Sequence, residues 1–186
     1  MATSGSPSVL HRRFRKEILN LPVEYNILNY KYYTLHPQIS DFLLNYNYEH
    51  DFKSEKQLDD LKFPVTFHLK GSNLFLNMII TNMGKYPFTQ PKILLKNKSI
   101  LLYYKSNLYI KYKKKFQEAK KCCMICSSVL SSSNWSVLAH FTEIFYEILL
   151  NLTNIKRATE MFHMEKISNK YLKGDPYLNG YALGFL

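Results

Sequence analysis

A chain of 186 residues can fold as one domain with a substantial core. Its 25 Lys and Arg against 14 Asp and Glu leave a formal charge of +11, which steers it toward acidic surfaces but says nothing about chemistry. Three cysteines confined to Cys122, Cys123 and Cys126 cannot staple distant parts of a fold, which excludes a disulfide scaffold. An intracellular setting, cytoplasmic and/or nuclear, is therefore expected. The opening MATSGSPSVLHRR has no apolar h-region, so no signal peptide is expected. No run reaches the roughly 18 apolar residues of a membrane span, and Glu147 interrupts even Ile144 to Leu150, so no membrane partner is expected.

Taken in order, residues 1–8 are small and polar, and disorder is expected there. Residues 9–172 read as a single domain and 173–186 as an irregular tail rich in Gly and Tyr. Val9 to Leu19 predicts a basic amphipathic helix, with Leu10, Phe14 and Ile18 spaced by four and Pro22 closing it. Arg12, Arg13, Arg15 and Lys16 are expected to be solvated, either as a plain surface or as a face that docks a partner. Tyr25 to Leu35 and Phe42 to Phe52 read as strands, and Ser54 to Lys62 as a loop or short helical turn. Phe63 to Lys70 alternates cleanly, Gly71-Ser72 signals a tight turn, and Asn73 to Thr81 and Lys92 to Leu95 read as further strands. A leading helix, a meander and following helices give the fold class α+β, with a four-stranded antiparallel meander flanked by helices.

Ile100 to Lys121 reads either as a strand that turns helical across Lys113 to Lys120 or as a loop. Lys105 to Lys121 carries seven lysines against Glu118 alone, with Tyr104, Tyr109, Tyr112 and Phe116 interleaved. A solvated face is the plain reading; binding to nucleic acid or an acidic protein is the alternative, without a recognisable nucleic-acid motif. Next comes CCMICSSVLSSSNWSVLAHFTEIFYEILLN, which holds every cysteine and the only tryptophan. From Val137 the apolar residues recur at three- and four-residue steps through Leu152, with His140, Glu143, Glu147 and Asn151 on the opposite face. Ser136 stands at the expected N-cap. A second helical stretch is read from Lys156 to Lys170. Trp135 is expected to anchor the cysteine loop against the core helix. Cys126 is either a nucleophile or a small core residue. Cys123 and Cys126 form one C-x-x-C without a second ligand pair, so neither zinc nor another cofactor is expected, and Cys122 and Cys123 are bystanders.

Leu74 to Ile80, followed by Tyr86-Pro87-Phe88-Thr89-Gln90-Pro91-Lys92, resembles the third strand and Tyr-Pro-Phe-x-x-Pro-Lys turn of ubiquitin-conjugating enzymes. Ile125-Cys126 and Trp135-Ser136, nine positions apart at Cys and Trp, are similar to that family's active-site Ile-Cys and its Trp-Ser-Pro. The motif-bearing resemblance covers Leu74 to Leu150; the ends match only in element order. It implies that Cys126 carries ubiquitin or a ubiquitin-like protein as a thioester, received from an activating enzyme and passed to a lysine or a ligase. It also makes Tyr86, Pro87, Phe88, Pro91 and Trp135 structural supports, with Tyr86 and Phe88 packed.

Three features depart from the family pattern. No His-Pro-Asn stands between Pro91 and Cys126, and His36-Pro37 precedes the Tyr-Pro-Phe turn and is followed by Gln38. Val137 replaces the proline after Trp-Ser, and the lysine-rich segment before the cysteine is longer than the family's. The missing Asn matters because amine attack on a thioester develops charge on oxygen, and losing one donor to that oxygen costs about 10²–10³ in rate. Asn107, nineteen residues before Cys126, is the nearest candidate by order. The competing readings are a catalytically inactive adaptor on the same fold and a basic nucleic-acid-binding protein.

Overall fold

The computed structural model describes residues 8–35, 62–83, 85–105, 107–112 and 124–173. Helix α1 spans Ser8–Leu19; strands β1 to β6 span Glu24–Ile27, Tyr30–Thr34, Phe63–Leu69, Phe75–Thr81, Lys92–Leu95 and Lys98–Ser99. Helices α2 (Ile100–Tyr103), α3 (Asn107–Tyr112), α4 (Met124–Ser127) and α5 (Phe141–Lys173) follow. All strands lie in one antiparallel sheet in the order β1-β2-β3-β4-β5-β6. The fold is α+β as expected, but the described sheet has six strands and not four.

Two turns account for the difference. Leu28, at φ +54°, and Asn29 fold the expected Tyr25 to Leu35 strand into the β1–β2 hairpin. Lys96 and Asn97, at φ +50° and +61°, reverse the chain after β5 and add β6. Two successive positive-φ residues match the twist of a hairpin, and Asn tolerates that conformation while Leu and Lys do so rarely. The expected strand Phe42 to Phe52 and the segment after it, up to residue 61, lie outside the described residues.

One sheet face is apolar at alternate positions: Ile27, Tyr32, Val65, Phe67, Leu69, Leu76, Met78, Ile80, Ile93 and Leu95 are all buried. Helix α5 covers this face with Phe141, Ile144, Phe145, Ile148, Leu149 and Leu152, and α1 adds Phe14 and Ile18. Phe67 meets Phe145 at 5.0 Å between ring centroids, and Phe14 meets Phe63 at 4.6 Å. Each such side chain removed from water contributes about 1.5–3 kcal/mol.

Helix α5 departs from expectation at both ends. It runs without a break for 33 residues, joining the two helical stretches read separately. Thr153 and Asn154 interrupt the apolar stripe yet are buried, and the Thr153 hydroxyl pairs with Tyr32 Oη at 2.8 Å. The helix also begins at Phe141, so Ser136 is not its N-cap. Ser136 Oγ instead accepts from Leu138 N–H (3.2 Å) in a preceding turn that leaves Val137 and Leu138 exposed. His140 takes the cap position: Ile144 N–H donates to its carbonyl (3.0 Å) and Glu143 Oε2 accepts back from its N–H (3.4 Å).

Between sheet and cysteine, α2 and α3 replace the expected strand or loop, and 113–123 lie outside the described residues. Lys111 ties α3 to α5, with Nζ 3.4 Å from Glu165 Oε2. No helix among the described residues is long and apolar enough to cross a membrane.

Leu28 sits in a left-handed conformation with 44% of its surface exposed. Leu28→Asn should therefore raise stability in urea unfolding by about 0.5–1 kcal/mol, because Asn enters that region at lower cost. A loss of stability would contradict the assigned turn.

Candidate functional site

The site grows from the Tyr86 turn. Tyr86 N–H donates to Met83 O (3.1 Å), and the N–H groups of Phe88 and Thr89 donate to Lys85 O (2.7 and 3.1 Å). The Tyr86-Pro87 bond is cis. Tyr86 and Pro87 are buried, as is Pro91 where the chain enters β5. Phe88, expected to pack, is instead 69% exposed.

A single carboxylate holds this turn against the helices. Glu17 Oε2 accepts from Tyr86 Oη (2.7 Å) and from Phe141 N–H (3.1 Å), the first residue of α5. Glu17 Oε1 accepts from Arg13 Nε (2.6 Å), with His140 Nδ1 at 3.3 Å. Arg13 reaches on to Ala139 O (3.3 Å) and lies over the Tyr86 ring at 5.6 Å. Arg13, expected among the solvated basic residues of α1, is thus turned inward, while Arg15 and Lys16 are exposed. Arg12 belongs to the same helix.

Burial pushes the Glu17 carboxyl up, but the hydrogen bonds from Arg13, Tyr86 and Phe141 N–H and the Arg13 charge outweigh it and hold it below the usual carboxylate range. The Tyr86 hydroxyl is pushed far up, first by burial and then by its bond to Glu17.

Trp135 fixes the cysteine loop to this assembly. Its Nε1–H donates to Pro87 O (2.9 Å), and its ring lies 6.2 Å from that of Tyr86. Trp135 therefore ties the loop to the Tyr86 turn. Within the loop, Met124 is buried and Cys126, on the single turn α4, is exposed. That excludes the small core residue reading. Asn134 clamps the turn: Nδ2 donates to Cys126 O (2.6 Å) and to Ser128 O (3.1 Å). An amide group has two N–H donors and both are committed here, so Asn134 shapes the backbone and has no donor left for a reacting oxygen. Ser128 and Leu130 are buried beneath, and Val129 N–H donates to Glu147 Oε2 (2.7 Å).

Glu147, read from the sequence as outward-facing, is therefore turned in. Burial pushes its carboxyl above the usual range, against the Ser128 side chain and the Val129 N–H.

Asn107 opens α3 and is exposed. Its helix is tied to α5 at Glu165, eighteen residues beyond the Glu147 that holds the Cys126 turn, or roughly 27 Å along a helix. The asparagine on the Cys126 turn is Asn134. Cys122, Cys123 and the His36-Pro37 pair lie outside the described residues.

Asn134, Glu17 and Glu147 were not singled out by sequence. Arg13 and Glu17 do stand four apart on a predicted helix, the spacing of an ion pair. The other two leave no comparable signal. Compared with protein-family models, curated proteins and solved structures, the chain finds no match.

Glu17→Ala strands Tyr86 Oη, Phe141 N–H and Arg13 together, and should cost about 3 kcal/mol in chemical unfolding. Because the folded pKa of Glu17 lies below its ordinary 4.5, its contribution is complete above that value and lost as pH falls through the folded pKa. Glu147 acts oppositely, stabilising in acid and losing that contribution as pH rises from 4.5 through its raised pKa. Melting temperature against pH should then fall less steeply on the acid side in Glu17→Gln and more steeply in Glu147→Gln. Identical acid limbs in all three proteins would contradict both assignments.

Proposed function

We propose that this chain is a divergent ubiquitin-conjugating transferase with a ubiquitin-conjugating-type fold, in which Cys126 carries ubiquitin or a ubiquitin-like protein. The observation that carries the reading is the exposed Cys126 on a clamped turn, docked through Trp135 to the carbonyl of Pro87 in the Tyr-Pro-Phe turn. The order of helix, antiparallel meander, cysteine turn and long helix supports it.

In the first step the Cys126 thiolate attacks the modifier's C-terminal thioester carbonyl on an activating enzyme. A carbon–sulfur bond to Cys126 forms, the bond to the activating enzyme breaks, and its thiolate takes up a proton. In the second step a neutral lysine amine attacks the new thioester. An amide bond forms, the Cys126 thiolate leaves, and the amine's proton passes to base. Arg15 and Lys16 offer a charged face of α1 to an activating enzyme. Phe88 and Leu138, 69% and 75% exposed on the two segments that Trp135 joins, offer an apolar face to a ligase.

A second reading, a non-catalytic adaptor on the same fold, draws on one observation: Asn134 spends both N–H donors on backbone carbonyls, so it cannot replace the missing Asn of the triad. The nucleic-acid reading rests on Lys105 to Lys121, mostly outside the described residues.

Incubated with an activating enzyme, ATP and ubiquitin, the protein should yield a reductant-sensitive adduct one modifier heavier on a non-reducing gel. Cys126→Ala should abolish it, while Cys122→Ser and Cys123→Ser should retain it. Absence of the adduct with several activating enzymes and modifiers would favour the adaptor. Discharge onto free lysine then tests Asn107: slowing by about 10²–10³ in Asn107→Ala would assign it the oxyanion donor, and an unchanged rate would make it structural.

A further inference from the structure

We infer that Glu147, acting as a carboxylate, is a positioning residue for Cys126, holding the backbone three residues beyond the thiol from the core side. This rests on the reading of Cys126 as the working thiol, although its test needs no ubiquitin. Asn134 clamps the turn at Cys126 O and Ser128 O from the solvent side. Glu147 reaches it from the opposite side, its Oε2 accepting the Val129 N–H at 2.7 Å. Between the two, Ser128 is 1% exposed and Leu130 N–H donates to its Oγ (3.1 Å), so residues 128–130 have little freedom of their own.

A carboxylate in this place is unexpected on packing grounds. Glu147 sits in the stretch of α5 whose neighbours Ile144, Phe145, Ile148 and Leu149 are fully buried, and an apolar residue would pack there without desolvating a charge. Its other oxygen, Oε1, is buried without a hydrogen-bond partner among the described residues. At the end of α2, the Tyr104 hydroxyl is likewise buried without a hydrogen-bond partner among the described residues, on a residue 2% exposed.

Tyr104 is the titratable group facing Glu147 from another element, and the Glu147 charge helps burial to push the Tyr104 hydroxyl up. On its own helix the nearest acid is Glu143, one turn earlier and occupied with the His140 N–H. The arrangement has two states. Ionised, Glu147 grips Val129 N–H with a charge-assisted bond, which is stronger than a neutral one. Protonated, it grips Val129 N–H only as a neutral carbonyl oxygen. Burial moves the exchange between these states above 4.5, against the Ser128 side chain and the Val129 N–H, which hold it down.

Glu147→Gln mimics the protonated state: the amide oxygen can still accept from Val129 N–H, without the charge. The experiment is the rate of alkylation of Cys126 by iodoacetamide in the full chain. It is resolved by peptide mass spectrometry and divided by the thiolate fraction at each pH from about 5 to 9. The parent and Glu147→Gln should differ by about threefold or more at the alkaline end, where Glu147 is ionised, and draw together as pH falls toward its raised pKa. Profiles that superimpose at every pH overturn the proposal.

Glu147→Ala, which removes the Val129 contact altogether, should depart from the parent at every pH; should it fail to fold, the Gln comparison decides alone. Ubiquitin charging, measured separately, keeps the two readings apart. A Glu147-dependent alkylation profile in a protein that no activating enzyme charges would sustain Glu147 and remove the transferase.

Discussion

The carboxylate of Glu17 is the point at which three separate parts of the chain meet. Four groups converge on its two oxygens, from α1, from the Tyr86 turn and from the cap and first residue of α5. Ring contacts of Phe14 with Tyr86 and Phe141, and of Tyr86 with Phe141, pack the same three segments around it. The Tyr86 turn carries Pro87 O, which receives Trp135; Trp135 fixes the segment that returns from the cysteine turn. The presentation of Cys126 therefore depends on a residue distant from it in sequence. A polar hub of this kind is costly to desolvate and is tolerated because nearly every lone pair is used. It gives orientation, where the apolar core gives energy.

The core supplies the frame on which the hub acts. The sheet is antiparallel with one face buried, so register follows from alternation: slipping β3 or β4 by one residue would turn Val65, Phe67, Met78 and Ile80 to solvent. Helix α5 lies on that face and extends well past the sheet-covering residues, so its later turns pack α3, through Lys111 and Glu165. One helix thus carries the N-terminal contact to Glu17, the Glu147 contact to the cysteine turn and the docking of the lysine-bearing segment. A disturbance at Glu17 has a direct mechanical route to Cys126, a rigid helix of two turns from Phe141 to Glu147.

What was legible in the sequence follows the same division. Strands β3, β4 and β5 were plain because a half-buried sheet demands alternation. The leading helix was plain because Phe14 and Ile18 stand one turn apart. The extra hairpins were hidden because Leu28 and Lys96 are poor turn residues that the surrounding pairing forces into positive φ. The continuity of α5 was hidden by Thr153 and Asn154, polar residues that break the apolar stripe yet are buried, Thr153 against the Tyr32 hydroxyl. Periodicity also placed Glu147 on the outer face, since it cannot register a carboxylate recruited inward by a backbone N–H. Trp135 as an anchor could be foreseen, although its partner, a carbonyl in the Tyr-Pro-Phe turn, could not. The exposure of Cys126 and its clamping by Asn134 are products of loop geometry, which leaves no period to read.

Glu17 organises the segment presenting Cys126, and native-state hydrogen exchange of Glu17→Gln against the parent measures this amide by amide. Protection should fall first at Phe141 and at the loop amides of Ser131, Asn134, Trp135 and Ala139, which are hydrogen-bonded within their own turns. The amides of β3 and β4 should lose no more than the global destabilisation requires. Undiminished protection across residues 128–141 in that variant would contradict this role, and would leave the Cys126 turn held by Asn134, Glu147 and Trp135 without Glu17.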